Sequence, residues 1–169
     1  MSCLRSAGRR AVRTALLGIA ALAATSANAR AQETVAIVIP PAVNFSVTDV
    51  SRSTPGSPSP TTVSFSNASL SSGKAFRVSV QADASAFTPP SGRAIEATNV
   101  SWTILGAAGG TGWGGTLSAT SFGLVYQSNP DPSSGHVDLA WALAAPGSAG
   151  LRAGTHQLTI RWKLESITP

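Results

Sequence analysis

The chain is short of the residues on which most chemistry depends. Its 169 residues include one cysteine, Cys3, two histidines, His136 and His156, and seven acids. A single thiol excludes an intrachain disulfide. Because Cys3 lies in a segment read below as an export leader, cysteine metal sites and thiol nucleophiles are excluded from the mature protein. A glycosidase pair would have to come from Glu33, Asp49, Asp83, Glu96, Asp131, Asp138 and Glu165, which are scattered along the chain. Asp49, Asp83 and Asp131 fall in or near turns, where Asp bonds its own backbone. No G-x-S-x-G elbow occurs. No apolar run is long enough for a membrane-spanning helix. Lys, Glu and Leu are sparse beside Ser, Thr, Ala, Gly and Pro, a poor composition for helices.

What is present begins with an address. Arg5, Arg9, Arg10 and Arg13 precede a short apolar run at 14–24, and two small-residue cleavage sites follow, ending at Ala29 and Ala31. This order is that of a secretory signal peptide over residues 1–31, cleaved after Ala29 or Ala31. The expected location is therefore the periplasm, the cell surface or the medium. After Ala31, seven basic and seven acidic residues cancel, so the chain's formal +5 comes from the leader. The mature chain has no basic patch for nucleic acid, and its neutrality favours association with a partner or with itself. The remaining roughly 140 residues suffice for one domain, 32–169.

Period-two alternation dominates that domain. Strands are predicted at 35–39, 43–48, 61–65, 74–82, 99–105, 116–127 (as one or two), 136–144 and 155–166, separated by Gly/Pro/Ser loops. The expected fold is all-β: an immunoglobulin-like antiparallel sandwich of about eight strands. Aligned inward sets include Phe76, Val78 and Val80; Val100, Trp102 and Ile104; Phe122, Leu124 and Tyr126; and Val137, Leu139, Trp141 and Leu143. The last strand has the sharpest pattern, with Leu158, Ile160, Trp162 and Leu164 on one face.

One loop carries a nucleotide-like signature. In "GGTGWGG" at 109–115, Gly110, Gly112 and Gly115 match G-x-G-x-x-G. A dinucleotide turn needs a helix after it to receive the pyrophosphate. The residues that follow alternate and are rich in β-branched types, so the glycines are read as a flexible connection and no cofactor is expected. Trp113, with only Gly and Thr around it, is the candidate ligand-binding residue: an aromatic on a loop tip that stacks on a sugar or docks a partner. The other three tryptophans fall in phase with aliphatic neighbours and read as core. His136 and Asp138 share a strand face, but nothing specifies a triad, and the two histidines and Asp138 lack metal-ligand spacing. No catalytic residue and no metal ligand is expected.

The closing segment resembles the final strand of WxL-type bacterial surface domains. Trp162-Lys163-Leu164 matches their motif and Trp141-Ala142-Leu143 gives a second copy. The resemblance implies a β-sandwich held non-covalently at the cell wall. A second resemblance is to fimbrial and spore-coat-like subunits, in which "ETVAIVIPP" at 33–41 would pair with a neighbour's open edge. The functional expectation is a non-catalytic exported module that binds cell wall, polysaccharide or a surface protein. The alternative is a self-assembling subunit using strand addition, and a secreted hydrolase comes third.

Overall fold

A computed structural model describes residues 32–147 and 149–169. The export-signal reading of residues 1–31, with Cys3, lies outside them. The described chain is nearly all strand: β1 (Thr34–Val38), β2 (Thr54–Pro55), β3 (Thr61–Ser69), β4 (Ala75–Ala82), β5 (Val100–Ala108), β6 (Gly110–Gly112), β7 (Gly115–Thr116), β8 (Gly123–Ser128), β9 (Gly135–Leu143) and β10 (Ile160–Ile167). A 3-10 turn at Ala97–Asn99 is the only helical element among the described residues, and none of their helices is long and apolar enough to cross a membrane.

The strands form two antiparallel sheets. One runs β1-β3-β9-β5-β7, with β2 also on β9; the other runs β10-β4-β8-β6. Alternation explains why they face each other. Every second residue of β9 is apolar, and Val137, Leu139, Trp141 and Leu143 are all buried. From the second sheet, Phe76, Val78, Val80 and Ala82 of β4 are buried with Val125 and Tyr126 of β8. Aromatic rings join the layers: Phe65 on β3 lies 5.0 Å from Phe76 on β4, and Trp141 on β9 meets Trp162 on β10 edge-on at 6.4 Å. Offset and edge-on pairs of this kind add to the stabilisation from area burial alone.

Four elements differ from the sequence reading. The segment 43–48 makes no strand; only Asn44 bridges to Ser57, although Val43, Phe45 and Val47 do pack together against the core. Hydrophobic phase was satisfied without a partner for the backbone. The turn-rich 54–60 segment, in contrast, contains β2, which is registered on the end of β9. In β8 the expected Phe122/Leu124/Tyr126 phase fails. Leu124 registers with Ser79 and Tyr126 with Val78, so Val125 is an extra residue, a bulge that turns both Val125 and Tyr126 inward. Phe122 precedes the strand and is exposed. The last strand begins at Ile160 rather than 155 and lies at a sheet edge, so Trp162 is only half-buried and Leu164 is exposed.

Candidate functional site

The glycine stretch forms structure rather than a flexible link. β5 belongs to the first sheet, β6 to the second and β7 to the first again, so the chain crosses the sandwich and returns within a few residues. Gly109, at φ +72°, makes the first crossing, in a backbone region that L side chains rarely adopt. Beyond it Gly110 and Gly115 are required by contact. A β-carbon at Gly110 would collide with the Gln127 carbonyl, and one at Gly115 would lie 2.6 Å from the Trp102 ring. Gly115 and Thr116 then pair with β5, so the G-x-G-x-x-G spacing leads into a strand, and the dinucleotide geometry is absent from this loop.

Trp113 sits between β6 and β7. Its backbone N–H donates to the Val125 carbonyl at 2.9 Å, and its own carbonyl accepts from the Trp102 indole Nε1–H at 2.7 Å. Trp102 is buried and packs on Trp141 at 5.6 Å, so the loop is anchored to the centre of the core. The Trp113 residue remains 38% exposed. The result is a partly exposed aromatic on a backbone fixed at both its donor and its acceptor.

A second aromatic, which sequence reasoning placed inside, is exposed on the side of the second sheet that carries β10. Phe122 is 42% exposed, and the next residue, Gly123, packs against the same Trp102 ring that Gly115 touches. The Lys163 ammonium stands 5.7 Å from the centre of the Phe122 ring, within cation–π range, and also pairs with Glu165 at 2.8 Å. The available signal was weak: Gly123 after Phe122 permits the close approach to Trp102, but alternation alone cannot reveal the bulge two residues later.

His136 and Asp138 do share one face, as their spacing predicts. His136 Nε2 lies 3.9 Å from Asp138 Oδ2, beyond hydrogen-bond reach, and Asp138 Oδ1 accepts from the Thr62 hydroxyl at 2.5 Å. Ser64 is registered opposite His136. The group lies on the open face of a sheet, with the His136 side chain 44% exposed. His156 lies elsewhere, its Nε2 3.0 Å from the Arg152 carbonyl oxygen. Among the described residues no three His, Cys, Asp or Glu side chains gather closely enough to hold a metal ion. The two W-x-L stretches lie in facing sheets, where their indoles meet.

Comparison with protein-family models, curated proteins and solved structures finds no match for this chain.

Proposed function

We propose that the protein is an exported, non-catalytic binding module with an immunoglobulin-like sandwich, which attaches to a cell-wall polymer or surface protein through the Trp113 loop. The observation that carries this reading is the fixed backbone beneath an exposed indole. An aromatic contact held on a rigid support loses little conformational entropy when a ligand stacks on it. The leader-like residues 1–31 and the two W-x-L stretches support an exported, wall-associated role. A pull-down on purified peptidoglycan and wall polysaccharides tests the proposal. Wild type is expected to bind, and Trp113→Ala to bind about tenfold less tightly, as for a truncated aromatic contact. Binding by neither protein rejects it.

The strand-addition alternative draws on β1. This short edge strand holds β3 through four registered pairs with one irregularity, and Ile39-Pro40-Pro41 follows it directly. If a neighbouring copy supplies that strand, removing 33–39 abolishes oligomers. A wild type that stays monomeric at high concentration refutes it.

A further inference from the structure

The outermost strands of the two sheets are not protected alike. β6 and β7 are very short and rich in glycine. β1 has an irregular register and runs on into Pro40-Pro41. Shortness, irregularity and proline are the usual devices that keep an edge from recruiting another strand. β10 has none of them. Every residue from Ile160 to Ile167 is registered on β4 without a bulge, the strand contains no proline, and no strand lies on its other side among the described residues. A long regular edge of this kind leaves backbone N–H and C=O groups open as a template. It also shows apolar surface, since Leu164 is 39% exposed and Trp162 only half-buried.

Charge selects the partner. Lys163 and Glu165 share the strand face opposite to Trp162 and pair with each other at 2.8 Å. Arg161, on that same face, is already paired with Asp83. Residues 32–169 carry no net charge, so copies do not repel one another. Two β10 strands can meet antiparallel about a two-fold axis that falls on one of the central residues. An axis at Trp162 sets Arg161 against Lys163, and an axis at Lys163 or Glu165 sets that residue against its own copy. Like charges directly opposite each other are destabilising. An axis at Leu164 avoids them all. It sets Lys163 of each copy against Glu165 of the other, Leu164 against Leu164, and Trp162 against Ser166. The strand is thus complementary to itself in one central register.

We propose that β10 is a self-association edge. Two copies of the protein pair their β10 strands antiparallel about Leu164 and join their second sheets into one continuous sheet. The two Lys163–Glu165 pairs across the axis fix the register, and the Leu164 contact covers the apolar surface of the edge. This dimer uses neither the Trp113 loop nor β1, so Trp113→Ala leaves it intact.

The test is sedimentation velocity of the purified protein from about 1 μM to about 1 mM. Wild type is expected to pass from monomer to dimer across that range. Lys163→Glu and Glu165→Lys each turn both cross-axis pairs into like-charge pairs, and each is expected to dimerise at least about tenfold less tightly. Mixed in equal amounts, the two single variants present opposite charges at both pairs, and the dimer is expected to return. Its return also shows that each variant is folded. The double variant Lys163→Glu/Glu165→Lys, which swaps the charges, is expected to dimerise as wild type does. A wild type that stays monomeric overturns the proposal. So does undiminished dimerisation of either single variant, or a mixture no better associated than its parts. A dimer that ignores both charge reversals and is lost on removing 33–39 also overturns it, and belongs to strand addition through β1.

Discussion

A β-carbon at Gly115 would sit 2.6 Å from Cζ2 of Trp102, a ring locked by its own bond to Trp113. Neither side can yield easily, so Gly115→Ala is expected to destabilise the domain by about 1–3 kcal/mol, the usual cost of overpacking. The midpoint of urea unfolding measures it. Trp102→Phe tests the other half of the contact. It removes the donor to the Trp113 carbonyl and part of a fully buried ring, and should cost about 2–4 kcal/mol, with faster amide exchange at Trp113 as the specific sign. These residues show where sequence reading stopped. That Trp113 differed from the three in-phase tryptophans was legible, because only it lacks aliphatic neighbours at period two. The glycines around it were read as sources of mobility, whereas they are small so that two sheets and an indole can approach. A composition rich in glycine looks the same in either case.

Among the elements, β9 was legible almost residue by residue. It has a partner on each side and one buried face, so its alternation had to be strict. β10 alternates as sharply, yet it is an edge strand and buries much less. The contrast sets a prediction: Leu139→Ala should cost about 2–5 kcal/mol, whereas Leu164→Ala, at an exposed edge position, should cost roughly 0.5 kcal/mol or less. Chemical denaturation of the pair checks it. The β1 edge has its own sensitivity. Hydrogen bonds from Ser71, through its side chain and its backbone N–H, hold the Glu33 carboxyl at about 2, below its ordinary 4.5. A depressed folded value means that this tether is fully present above 4.5 and is lost as pH falls through about 2. Amide exchange in β1 should therefore accelerate across that window, and Glu33→Gln should remove the dependence. The bulge in β8 and the missing strand at 43–48 were not legible, because both depend on which backbone lies alongside.

At the scale of the whole molecule, the class was readable and the assembly was not. Short alternating segments between Gly/Pro/Ser loops require sheets with one dry face, and two such sheets cover each other. Which strand belongs to which sheet, and the double crossing at 109–115, follow from pairings distant in sequence. Those pairings place the Trp113 loop over the core while leaving its indole partly exposed. The central claim is that this indole contacts a wall-derived ligand. The direct measurement is a titration of the domain with soluble peptidoglycan and wall-polysaccharide fragments, following the four indole resonances. The account predicts a saturable shift at Trp113 with Trp102, Trp141 and Trp162 little changed. Fragments that bind and leave the Trp113 resonance unmoved, or fragments that fail to bind at all, would contradict it.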